Sequence, residues 1–173
     1  LIQMDILEVS LLQQQFEIIE CGGVLHHMEN PSQGLKALVD VLKMTGFIKL
    51  GLYSEFARQG IIKARDYIEN KKLQANEDNI RNFREKIFSG EIPALNSLLE
   101  SPDFYTLSSC RDLCFHAQEK RFTIKQLQEI LKSNELKFLG FLLPKTVKSL
   151  YKKNFPEDKT QTNLQKWAKF EEK

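Results

Sequence analysis

The sequence predicts an α/β fold with parallel strands, followed by a helical block, and three features of the first half carry that reading. Residues 16–21 and 47–52 are compact apolar runs flanked by turn residues, the pattern of β-strands. Between them lies a helix with clear punctuation: Asn30 as N-cap, Pro31 at the first helical position and Gly46 after the end. Leu35, Leu38, Val39 and Leu42 fall at i, i+3, i+4 and i+7, one apolar stripe that packs on a sheet. Strand, helix and strand at this spacing form a βαβ unit, which requires parallel strands. Residues 2–7 read as the end of a preceding strand.

The middle of the chain is helical. Ala57, Ile61, Ala64 and Ile68 form one stripe, and Ile80, Phe83 and Ile87 form another that ends near Gly90. Asn76, followed by Glu77 and Asp78, marks a helix start with favourable charge in its first turn. Pro93 opens a short helix carrying Leu95, Leu98 and Leu99, and Ser101, Pro102 and Asp103 break the chain before a helix over residues 108–118. Further on, Thr123 and Gln126 make a capping box, with Phe122 and Leu127 as its hydrophobic staple. Residues 136–143 read as a late strand stopped by Pro144, and two short helices follow over residues 147–151 and 164–170.

Composition narrows the partners. Twenty-five basic residues against 23 acidic ones leave a net charge of +2, so no electrostatic footprint for nucleic acid is present. No apolar run reaches membrane-spanning length, and neither a membrane nor a nucleic acid is an expected partner. The 3 cysteines have no CxxC spacing, which predicts a reducing, cytoplasmic setting and no metal site. Cys110 and Cys114 read as buried thiols, and Trp167 and Phe170 as anchors of the last helix.

Ligands of open α/β sheets sit at the carboxyl ends of the strands. Here that edge carries Asp5, then residues 21–27 (C-G-G-V-L-H-H), then Tyr53 and Ser54. Gly22 and Gly23 permit close approach to the backbone.

Residues 16–31, F-E-I-I-E-C-G-G-V-L-H-H-M-E-N-P, resemble the fourth-strand motif of class I S-adenosylmethionine-dependent methyltransferases. In that family an F-D-x-I strand runs into a V-L-H-H or V-L-E-H loop and a D/N-P helix start. Residues 46–53, G-F-I-K-L-G-L-Y, are similar to the family's fifth strand, and residues 3–7, Q-M-D-I-L, to the acidic loop near the cofactor's adenine. Residues 101–105, 110–113 and 115–119 resemble a bacterial subgroup that is sometimes joined to tetratricopeptide repeats, so such a region upstream is an expectation. Two departures stand out. Met44, Thr45 and Gly46 replace the family's Pro-Gly-Gly, and the G-x-G-x-G loop and the ribose-binding acid are absent. With Leu1 in first place, the absence reads as a truncated start.

The resemblance implies a Rossmann-like methyltransferase fold lacking its first strands, with a helical insertion after the fifth. It divides the chain into a cofactor-side core (residues 1–54), a helical acceptor-side block (55–135) and a late strand with helices (136–173). It implies S-adenosylmethionine as methyl donor and an unidentified acceptor, small molecule or protein. Carried over residue by residue, Asp5 and Ile6 meet the adenine, Cys21, Gly22 and Gly23 pass the methionine end, and His26 and His27 stand at the mouth as candidate bases. Tyr53, Arg58 and His116 are candidate acceptor contacts, the last on a helix shared with Asp112 and Glu119.

Each assignment has a plainer counterpart. The histidines can cap or underpin the next helix, and Asp5 can open a helix or turn. Tyr53 can pack while Arg58 is a solvated charge, and the residues around His116 can form a salt-bridged face. The rival for the whole is a non-catalytic α/β module for protein interaction. An incomplete sheet exposes a strand edge and an apolar face, which predicts poor solubility.

Overall fold

The computed structural model describes residues 1–116 and 119–172. In chain order its first regular elements are β1 (Phe16–Gly22), α1 (Pro31–Asp40), β2 (Leu42–Gly51) and β3 (Tyr53–Ser54). Then come α2 (Gln59–Asn70), α3 (Glu77–Phe88), α4 (Leu107–Phe115), β4 (Arg121–Phe122), α5 (Ile124–Ser133), α6 (Lys145–Asn154) and α7 (Leu164–Glu171). Short 3-10 helices occupy Ile6–Leu12, Leu25–His27, Pro93–Glu100 and Pro102–Tyr105. Two compact units result: Leu1–Phe56 with Lys120–Lys173, and Ala57–Glu119.

In the first unit β1 and β2 pair in parallel, with Ile19 opposite Ile48 and Cys21 opposite Leu50. Successive strand side chains alternate between faces. Ile19, Cys21, Ile48 and Leu50 therefore turn inward, joining Leu25, Leu35 and Leu38 in one apolar cluster. The opposite face is open to solvent: Ile18 is 73% exposed and its partner Phe47 59%. Glu20 and Lys49 pair beside them at 2.5 Å. A second cluster gathers Ile124, Leu131, Tyr151, Leu164 and Trp167, where the Tyr151 and Trp167 rings stack at 3.7 Å.

The Ala57–Glu119 unit has its own core. Ile61, Ala64 and Ile68 of α2 meet Ile80, Phe83 and Ile87 of α3, with Leu95, Leu98, Phe104 and Cys110 closing over them. Arg84 donates to the backbone oxygens of Phe104 and Tyr105, at 3.0 and 2.5 Å, holding the Pro102–Tyr105 turn against α3.

An incomplete Rossmann-like sheet is not what these elements build. The described residues are 55% helical, and strands among them meet only in two parallel pairs, β1 with β2 and β3 with β4. Two predicted strands are missing for identifiable reasons. Over residues 2–7 the Asp5 carboxylate accepts the Leu7 N–H at 2.9 Å and starts the Ile6–Leu12 helix, so the backbone turns instead of extending. Residues 136–143 have no ladder partner among the described residues. Their aromatic side chains pack on a helix, with Phe138 against Phe141 and Phe141 against Trp167, and Gly140 has a φ of 135°. The first helix also stops short of its prediction. Leu42 opens β2 opposite Phe16, and a bulge absorbs the residues before Phe47, which pairs with Ile18. Residues 117 and 118, placed by prediction at the end of a helix, lie outside the described residues; α4 ends at Phe115. No described helix is long and apolar enough to cross a membrane.

Candidate functional site

The carboxyl end of the β1–β2 pair is an open backbone edge. Gly22 and Gly23 follow one another there, and a Cβ built on either meets no atom within 4 Å. Gly23 has a φ of 74°, a left-handed conformation that glycine alone adopts freely, so the chain turns sharply out of the strand. Gly51 across the ladder keeps the edge narrow, since a Cβ on it would stand 3.1 Å from the Gly22 Cα.

Beyond the glycines the Leu25–His27 turn is held firmly. Leu25 and His26 are buried, and the His26 carbonyl accepts the Lys120 N–H at 2.7 Å. The His26 ring lies 3.9 Å from the Tyr53 ring and 4.3 Å from the His27 ring. His27 is half-buried and closes the turn. Gly34 on α1 makes room for this packing, because a Cβ there would run into the Met28 sulfur and a Leu25 methyl. Burial raises the Cys21 thiol above its ordinary range, and a hydrogen bond with the Leu25 backbone offsets that in part.

Tyr53 belongs to two environments. One face of it meets His26, and it also lines a cavity of about 460 Å3 shared with Ser54, Leu127, Phe141, Trp167 and Glu171. Its walls come from β3, β4, α5, the 136–143 segment, Val147 of α6 and α7. Sequence reading passed over this cavity because it depends on how α5 and α7 pack, which no local spacing encodes.

The remaining predicted site residues divide between the two units. Asp5 is an exposed helix cap, and Ile6 packs on the first apolar cluster. Arg58 and His116 belong to the Ala57–Glu119 unit. There Arg58 forms an ion pair with Glu119, whose side chain is only 1% exposed, and its Nε lies 3.3 Å from the second carboxylate oxygen. The His116 carbonyl accepts from the Arg65 guanidinium, and His116 lines a smaller cavity of about 310 Å3 with Arg65, Glu69 and Cys114. Asp112 is exposed, in contrast to Glu119. Cys110 and Cys114 are both buried, and a hydrogen bond to Cys110 together with burial pushes the Cys114 thiol up. Among the described residues no group of three or more His, Cys, Asp or Glu side chains is placed to hold a metal ion.

No family model matches the chain. Over 148 residues, 80% of its length, it is 32% identical to an uncharacterized protein of the cyanobacterium Synechococcus sp., and the aligned region spans 35% of that relative.

Proposed function

We propose that the protein transfers a methyl group from S-adenosylmethionine to an acceptor, with residues 21–27 facing the methionine end of the donor. The observation that carries this reading is the open glycine edge at the carboxyl end of a parallel strand pair, leading directly into a V-L-H-H turn. Strand carboxyl ends are where α/β units bind ligands, and the empty space around Gly22 and Gly23 suits a backbone that a ligand approaches closely. When bound, the donor's sulfonium supplies an electrophilic methyl group.

What the chain must add is alignment and a proton acceptor. His26, packed against Tyr53, fixes the turn, while the half-buried His27 is the side chain better placed to take a proton. Asp5 would meet the adenine with the carboxylate whose Oδ1 also caps the Ile6–Leu12 helix. The relative is nearly three times as long as the matched segment, so a Gly-rich loop and an acid that grip the donor's ribose would come from residues outside this chain.

Calorimetric titration of S-adenosylmethionine into the protein at its full natural length tests the proposal. Wild type should bind. Gly22→Val should weaken binding by at least about tenfold, or ~1.4 kcal/mol, with no loss of folding stability. His27→Ala should keep donor binding and lose turnover. Absence of binding by wild type would overturn the reading and favour a non-catalytic interaction module, for which the exposed Ile18 and Phe47 face is the supporting feature.

A further inference from the structure

The cavity beneath Tyr53 has a composition that specifies a ligand class. Its volume of about 460 Å3 lies in the range of small-molecule sites, roughly 300–1,000 Å3. Leu127, Phe141 and Trp167 give the lining an apolar body, and Ser54 and Glu171 form a hydrogen-bonded polar pair within it. Among the described residues that line it, Glu171 carries the one formal charge. The Ser54 hydroxyl donates to the Glu171 carboxylate and so orients it. A carboxylate has about four acceptor positions, so one serine bond does not exhaust it.

We propose that this cavity binds a hydrophobic amine, with the hydrocarbon part against Trp167 and Phe141 and the ammonium on Glu171. An anion would meet a like charge with no cation in the lining to offset it. A purely apolar guest would strip water from the carboxylate and return nothing. An ammonium supplies both opposite charge and hydrogen-bond donors, the combination that makes a desolvated carboxylate favourable. The cavity would take this ligand whether or not the protein transfers methyl groups, since all its walls belong to the Leu1–Phe56, Lys120–Lys173 unit.

Trp167 is the single tryptophan of the chain and lines the cavity, so its emission reports occupancy. The experiment titrates the protein near neutral pH with phenethylamine, phenethyl alcohol and hydrocinnamate, which share a phenyl group and differ in the charge of the head. Phenethylamine should give a saturable change in emission, with a Kd at least about tenfold lower than that of hydrocinnamate. Glu171→Gln keeps an oxygen for Ser54 and should weaken amine binding about tenfold while leaving the alcohol unchanged. Val147→Phe, which fills the cavity, should abolish binding of all three in a protein whose circular dichroism is unaltered. Equal affinity for the acid and the amine would overturn the proposal. So would an amine preference that survives Glu171→Gln, or no saturable change with any probe into the millimolar range. Donor calorimetry reads a different event, so failure here leaves the methyl-transfer proposal to its own test.

Discussion

Gly22 and Gly23 stand side by side, yet a substitution meets different physics at each. Gly22 ends β1 with an ordinary backbone conformation and open space around it, so a β-branched residue fits the strand. Gly23 has a positive φ, and an L side chain there is strained by roughly 1–2 kcal/mol. Urea unfolding should therefore show Gly23→Ala destabilised by about that amount and Gly22→Val within about 0.5 kcal/mol of wild type. Asp158 offers a second residue-level test. Burial alone would raise its carboxyl, but hydrogen bonds from the Tyr151 hydroxyl and from Asn163, Thr162 and Thr160 outweigh that and hold it below its ordinary value. The linked stability is therefore fully present above the unfolded-state pKa, about 3.9, and is lost as pH falls through the lower folded value. Urea midpoints of wild type should drop in acid below about pH 4 more steeply than those of Asp158→Asn. At neutral pH Asp158→Ala should cost about 1–3 kcal/mol, because the buried Tyr151 hydroxyl loses its acceptor. At this scale the sequence announced Gly22, Gly23 and the histidine pair, since adjacent glycines and a V-L-H-H string are visible in one dimension. It was silent on Asp158, whose role depends on a turn that brings Asn163 back to it.

Among the elements, those with local caps are the ones a linear reading recovers. Asn30, Asn76 and Thr123 each accept the N–H of the residue three positions on, an interaction whose partners are fixed by spacing alone. Thr123 adds the reciprocal bond, with Gln126 accepting the Thr123 N–H at 2.8 Å. Thr123→Ala should accordingly lower stability by about 1 kcal/mol, read as a shift in urea midpoint without a change in slope. Where long-range pairing competes with local pattern, the linear reading fails. Leu42 continues the helical stripe of α1, but pairing with Phe16 draws it into β2. Residues 136–143 read as a strand, but Phe141 finds the Trp167 ring at 5.2 Å and no neighbouring strand among the described residues competes for it. The parallel β1–α1–β2 unit was legible, but the larger sheet it was expected to join is not built by the described residues, because strand count depends on partners that periodicity does not reveal.

Across the whole molecule the two units have separate buried clusters, and this separation makes a folding prediction. Residues 57–119 gather 12 buried side chains into one cluster, centred on Phe83, whose ring is met edge-on by Phe115 at 5.5 Å and by Phe104 at 6.3 Å. The Arg58 and Glu119 pair joins the first turn of this unit to its last residue. A small single core of this kind rarely supplies more than about 3–5 kcal/mol. Phe83→Ala removes about 3–5 kcal/mol by deleting a large buried ring, enough to unfold the unit at room temperature. The other unit contains Trp167, whose surroundings are Tyr151, Phe141 and Phe170. In the Phe83→Ala protein, therefore, far-ultraviolet circular dichroism should lose the helical signal of α2, α3 and α4, while the urea transition followed by Trp167 emission keeps its wild-type midpoint. Non-coincident probes of this sort mark units that open separately. If the Trp167 transition moves down together with the helical signal, the two clusters unfold as one cooperative body and the chain behaves as a single domain in solution.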